Sequence, residues 1–238
     1  MKLLFFARHW SYLRNFESVI EALARRGHRV HMVVSVAEAL GGHQMIERLV
    51  ARYPEQLSMG EAPERARGGW FELARRLRHG LDYLRFLDRR YETTPHLVAR
   101  ARERAPAVVL ALLRLPVLRA DRGREWLARV LRALERALPR VQALEQFIVA
   151  HQPDAVLITP LVELGSSQID YLRAAKALGI RTVLPVSSWD HLSSKAPLRL
   201  MPDAVIVWND VQRTEAIEMH RVPAERVVVT GAQCYDQW

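Results

Sequence analysis

This 238-residue chain has one cysteine, Cys234, only three lysines, and no uninterrupted apolar run of the length a bilayer span requires. A lone cysteine excludes an intramolecular disulfide and a cysteine-built metal cluster. No H-x-x-x-H or paired-cysteine spacing occurs either, so no intrinsic metal is expected. The loop after the first apolar run lacks G-x-G-x-x-G, and no P-loop follows any strand-like segment, which argues against an ordinary dinucleotide enzyme or NTPase. The opening "MKLLFFARHW" lacks the features of a signal peptide: its apolar run covers only Leu3 to Ala7, and no small-residue cleavage site follows. It reads as a first strand, and the cytoplasm is the expected compartment.

Charge is present, but unevenly. The formal net charge is +9, and residues 43–140 carry 21 arginines against 12 acids, so the whole excess lies in the middle of the chain. Such a section attracts anions of any kind: nucleic acid, anionic lipid or a phosphorylated substrate. An arginine-preferring composition accounts for it equally well, given so few lysines. None of the usual nucleic-acid-reading motifs accompanies the arginines, which speaks against a nucleic-acid partner. Trp70, Phe71, Tyr83 and Phe86 among them suggest a peripheral contact with an anionic membrane.

The periodicity divides the chain in three. Leu3 to Ala7 reads as a strand, Asn15 to Arg26 as a helix closed by Gly27, and "HRVHMVVS" as a second strand, with a weaker third at Gln56 to Met59 before the breakers Pro63 and Gly68-Gly69. From about residue 65 to 140 the pattern is helical and basic. Trp70, Leu73, Leu77, Leu81, Leu84, Leu87 and Tyr91 form one apolar stripe, and Trp126, Leu127, Val130, Leu131, Leu134 and Leu138 another. Strand-helix alternation then returns: "PDAVLITP", a helix from Ser166 to Leu178, "RTVLPVS", "PDAVIVWN", a helix from Asp210 to His220, and "ERVVVTG". Near-continuous apolar strands alternating with helices predict a Rossmann-like, doubly wound parallel sheet with a helical insertion, forming one domain over residues 1–238.

In such a sheet the loops at the carboxyl ends of the strands carry function. Four are rich in polar and aromatic groups: "RHWSYLRN", "TPLVELGSSQID", "SSWDHLSSK" and "WNDVQ". His9 is a candidate general base, since its ordinary pKa lies near neutrality, although a loop histidine also serves as a plain hydrogen-bonding group. Asp190 is the rival, able to accept a proton or orient a histidine, or simply to make an Asx-turn or helix cap. Glu163, Ser166, Gln168 and Asp170 surround a predicted helix start whose free N–H groups suit an anion, where Ser166 serves equally well as a cap. Trp10 and Trp189 are candidate stacking surfaces for a sugar or base, or core-closing side chains. Arg8, Ser188 and Lys195 complete the set.

The segments at 1–33, 153–180, 187–195 and 202–238 resemble the N-terminal domain of two-Rossmann-domain, GT-B type glycosyltransferases, in particular a bacterial group associated with surface-carbohydrate synthesis. The resemblance implies an acceptor-side half, in which "VVVTGAQCYDQW" is a shortened hinge and the donor-binding domain is missing. It implies a nucleotide-sugar co-substrate, bound mainly by that second domain, and a glycan or lipid-linked acceptor. The candidate roles then become catalysis for His9 and Asp190, and acceptor binding for Arg8, Trp10, Glu163, Ser166, Gln168, Asp170, Ser188, Trp189 and Lys195. Arg8 and Lys195 are also candidates for part of the leaving diphosphate. A partner chain supplying the donor domain, a non-catalytic binding subunit and a sugar-nucleotide 2-epimerase-like enzyme are the alternatives.

Overall fold

The structure is a computed structural model that describes residues 1–36, 41–63 and 69–236. The breaker Gly68 and the last two residues of the "VTGAQCYDQW" segment lie outside the described residues. Seven strands form one sheet: β1 (Lys2–Ala7), β2 (Arg29–Val34), β3 (Leu57–Glu61), β4 (Ala155–Thr159), β5 (Arg181–Pro185), β6 (Ala204–Val207) and β7 (Val227–Val229). All neighbours are parallel, in the order β3-β2-β1-β4-β5-β6-β7. This is the doubly wound sheet that the alternation of apolar strands and helices predicts.

The period of two splits β1, β2 and β4 between two cores. Leu4 and Phe6 of β1 face one side with Val156 and Ile158 of β4, while Phe5 and Ala7 face the other with Val30 and Met32 of β2. Helices α1 (Trp10–Arg14), α2 (Glu17–Arg25) and α3 (Gly42–Arg52) cover the second side. The helix expected over Asn15 to Arg26 is α2, and the short α1 precedes it within the segment expected to be the loop after β1.

The basic section is helical throughout: α4 (Gly69–Phe86), α5 (Pro95–Arg104), α6 (Ala107–Leu112), α7 (Pro116–Arg119) and α8 (Asp121–Ala137). It builds its own core from Leu77, Leu81, Leu84, Tyr91, Leu127 and Leu131. The other helices are α9 (Gln142–His151), α10 (Ile169–Ala177), α11 (His191–Ser194) and α12 (Asp210–His220), and α9, α10 and α12 supply residues to the first core. After β7 a 3-10 turn at Gln233–Tyr235 returns to α2, where Ser18 Oγ donates to Asp236 at 2.7 Å.

The stripes are only partly core-facing. Trp70 is 63% exposed, and Leu73, Trp126 and Leu134 are exposed as well. The expectation of four aromatics free for shallow membrane insertion is corrected: Tyr83 and Phe86 are buried within the helical core. Among the described residues no helix is long and apolar enough to cross a membrane.

The helical section is bolted to the sheet by charges taken out of water. Arg78 of α4 donates from Nε to Glu135 of α8 at 2.7 Å and from Nη2 to Asp170 of α10 at 2.6 Å. One turn on, Asp82 accepts the Gly165 N–H at 2.6 Å and pairs with Arg199. Gly165 has φ +66, and a Cβ there would sit 2.4 Å from the His79 ring, so the close approach of α4 to this loop requires glycine.

Candidate functional site

The sheet reverses its winding between β1 and β4, and the helices that follow these two strands lie on opposite faces, the arrangement that in doubly wound sheets leaves a crevice at the carboxyl ends. Backbone and side-chain hydrogen bonds fix the loops around it. The Arg8 N–H donates to Thr159 O at 3.2 Å, and the Ser35 and Val36 N–H groups donate to Arg8 O. Asn15 Nδ2 reaches Ser187 O at 2.7 Å, joining the loops after β1 and β5, and Gln168 Nε2 lies 3.3 Å from Ser35 Oγ, joining those after β4 and β2.

His9 occupies the N-cap of α1 in an extended conformation, its Nδ1 bonded to Ser11 Oγ and its ring 4.5 Å from that of Tyr12. The Tyr12 hydroxyl donates to Glu163 Oε1, and Arg8 donates to Glu163 Oε2. Burial, and then the adjacent Glu163 carboxylate, hold the Tyr12 phenol above its ordinary range, so it stays a protonated donor at neutral pH. The two oxygens of Glu163 therefore tie together residues more than 150 positions away in sequence.

The loop after β5 supplies the opposite wall. Asp190 accepts from Ser188 Oγ at 2.7 Å and Ser194 Oγ at 2.9 Å, with Lys195 Nζ at 3.3 Å. Burial opposes its ionisation, but the two serine hydrogen bonds and the charge of Lys195 outweigh it, and the carboxyl lies below its ordinary value. That makes Asp190 a fixed negative charge and a weak proton acceptor at neutral pH, and leaves His9 the better placed base. Next to it, His191 is buried against Ser187, with its ring 6.1 Å from Tyr12; burial drives its pKa down to about 4, so it is neutral at pH 7. Trp189 is 73% exposed and presents its ring to solvent.

Other candidates are employed elsewhere. Trp10 is 5% exposed and packs in the core edge-on to His43, 5.6 Å between ring centres, so it offers no open face for a sugar. Asp170 spends both carboxylate oxygens on Arg78. Ser166 accepts the Gln168 N–H at 3.1 Å, inside the turn before α10. Gln168 is 2% exposed, and its Oε1 has no hydrogen-bond partner among the described residues. The "WNDVQ" loop is used internally: Trp208 Nε1 donates to Val186 O and Gln212 Nε2 to Ser188 O.

Tyr12, Asn15 and Ser187 went unnoticed in the sequence, although all three lie inside segments with the right loop signature. Among the described residues no group of three or more histidine, cysteine or acidic side chains is gathered as a metal site would need. The sequence matches no family model and no curated protein.

The crevice is nearly charge-neutral, because Arg8 is matched by Glu163 and Lys195 by Asp190. A phosphate would have to compete with a carboxylate for each cation. A neutral hydroxyl can instead donate to the oxygens of Tyr12, Ser188 and Asp190, whose own protons or partners stay in place, with the exposed ring of Trp189 on the same loop as Ser188 and Asp190.

Proposed function

We propose that this Rossmann unit binds the acceptor in a two-Rossmann-domain glycosyltransferase, holding a hydroxyl-bearing glycan or lipid-linked acceptor at the β1/β4 crevice. The carrying observation is the crevice itself: a histidine at the switch point, set among polar groups whose charges are already paired. In this reading His9 takes the proton of the attacking hydroxyl as its oxygen bonds to the anomeric carbon. Asp190 and the neutral His191 orient the acceptor, and Trp189 lies against the apolar face of its sugar. The bond from the anomeric carbon to the departing diphosphate breaks with its electron pair on the phosphate oxygen. That oxygen is stabilised by the second Rossmann unit of such an architecture, since Arg8 and Lys195 already have carboxylate partners.

A glycan array probed with the protein and with its His9→Ala and Trp189→Ala variants tests the binding. The expected result is recognition of a restricted set of glycans that weakens in Trp189→Ala. In an assembly that includes the donor-binding unit, His9→Ala should lower turnover by about 10²- to 10⁴-fold, as for a lost general base. Micromolar binding of a nucleotide sugar that disappears in His9→Ala would assign the crevice to the donor and overturn the acceptor reading.

A further inference from the structure

A second concavity lies away from the crevice, between the helical section and the outer strands. It encloses about 620 Å³ and is walled by α4 and α8 on one side and by residues 197–201 and 218–221 on the other. That volume is within the range of small-molecule sites. None of its lining comes from the loops after β1 or β4, or from residues 187–195.

Its charge is unlike that of the crevice. Three of its arginines are matched, Arg90 by Asp88, Arg124 by Asp121 and Arg199 by Asp82. Arg132, Arg136 and Arg221 also line it, and among the described residues no carboxylate forms an ion pair or hydrogen bond with any of the three guanidinium groups. Arg132 and Arg136 are spaced i, i+4 on α8, so their like charges share one face of the helix and repel. Arg221 approaches from the end of α12. Beneath them lies Arg199, whose side chain is 3% exposed and whose Nε and Nη1 atoms have no hydrogen-bond partner among the described residues, while Nη2 is held by Asp82. At the far end Arg85 donates to neutral oxygens, the Tyr91 hydroxyl and Leu192 O, and among the described residues forms no ion pair.

We propose that this cleft binds a phosphate-bearing anion, held by Arg132, Arg136 and Arg221 above the buried guanidinium of Arg199. Three cations brought together with no carboxylate bonded to them, and with the charge of Glu125 offsetting only part of that of Arg132, lower the free energy of an anion placed among them, and guanidinium forks match phosphate oxygens two at a time. Glu125 and Glu218 also line the cleft and restrict the anion to the part of it held by the arginines. Desolvation first, and then Arg136 and Arg221, hold the Arg132 guanidinium below its ordinary pKa, in keeping with crowded positive charge. The proposal does not depend on the acceptor reading of the crevice.

The test is calorimetric titration of the whole chain with inorganic diphosphate, alongside cosedimentation with phosphatidylglycerol vesicles and with neutral phosphatidylcholine vesicles. Saturable binding of diphosphate is expected, weaker at high salt and reduced at least about tenfold in Arg132→Gln/Arg221→Gln. His9→Ala should bind as tightly as the parent, which separates this site from the crevice. Arg136→Gln alone, with an unchanged thermal midpoint, repeats the test should the double variant lose its fold. Binding to phosphatidylglycerol vesicles but not to free diphosphate, abolished in the arginine variants, would support the same site with the phosphate on a lipid headgroup. No binding to either probe, or equal binding by the arginine variants, would overturn it.

Discussion

Two regions of this molecule use arginine and lysine in opposite ways. At the β1/β4 crevice each cation is matched: Arg8 with Glu163, Lys195 with Asp190. In the cleft beside α8 the cations outnumber their partners, and Arg132, Arg136 and Arg221 stand together without one. The matched region is suited to neutral, hydrogen-bonding ligands, the unmatched one to an anion. The net charge of +9 says nothing of this division, which depends on the residues that folding brings beside each cation.

Arg78 keeps the two regions in place relative to each other, and its loss is expected to have the largest effect. Its side chain is almost fully buried between Glu135 and Asp170. Arg78→Met would leave two carboxylates without a cation in the interior, and breaking a buried pair in this way costs about 3–5 kcal/mol. A urea titration should show this as a markedly lower midpoint, partly recovered in Arg78→Met/Asp170→Asn/Glu135→Gln. A midpoint shift as small as that of an exposed arginine variant would mean that the helical section is docked by its apolar contacts alone.

The sheet was legible in the sequence because parallel strands buried on both faces leave continuous apolar runs, and "PDAVLITP", "RTVLPVS" and "PDAVIVWN" punctuate them clearly. The loops of the crevice followed from strand polarity. What did not show was partnership. Asp170 looks like an anion-site residue at a helix start until Arg78, 92 positions earlier, takes its carboxylate. Trp10 looks like a stacking platform until α3 closes over it. The one local hint was within α4, where Arg78 and Asp82 fall on the same helical face as Leu77 and Leu81, placing charge in an apolar stripe.

Acid should act on both regions, through one buried histidine in each. His191 at the crevice is depressed to about 4, chiefly by burial, with Asp190 offsetting part of the shift. His220 in the cleft is depressed to about 3, by burial and then by the neighbouring Arg85. Its Nδ1 accepts the Leu198 N–H, so the ring proton resides on Nε2, toward Leu192 O. Both folded-state values lie below the unfolded value near 6.5, so the unfolded chain binds protons more readily. The stability these groups contribute is complete above pH 6.5 and is lost as the pH falls toward 4. Between pH 7 and pH 5 each histidine should cost about 2 kcal/mol. Urea midpoints at the two pH values measure these two together with His31 and His79, which burial also depresses to about 4, and His191→Gln should shrink the difference. An unchanged difference would show that His191 takes up no proton on unfolding.

The smallest effects test the contrast most directly, because they should differ in sign. Arg8→Gln removes a partly exposed pair with Glu163, and such pairs contribute about 0–1 kcal/mol, so the variant should be slightly less stable. Arg132→Gln removes a cation on which the repulsion of Arg136, Arg221 and Arg129 outweighs the attraction of Glu125, and relief of like-charge repulsion of this kind is worth about 0.2–0.5 kcal/mol, so this variant should be slightly more stable. Salt separates the two further. Added sodium chloride screens the cleft repulsion in the parent and should raise its thermal midpoint, while Arg132→Gln, already relieved, should gain less. Diphosphate should reverse the ranking, stabilising the parent more than Arg132→Gln, because a ligand that binds only the folded chain stabilises it in proportion to its affinity. A loss of stability in Arg132→Gln under all three conditions would mean that its aliphatic stem, packed along α8, matters more than its charge, and that the cleft is a structural surface.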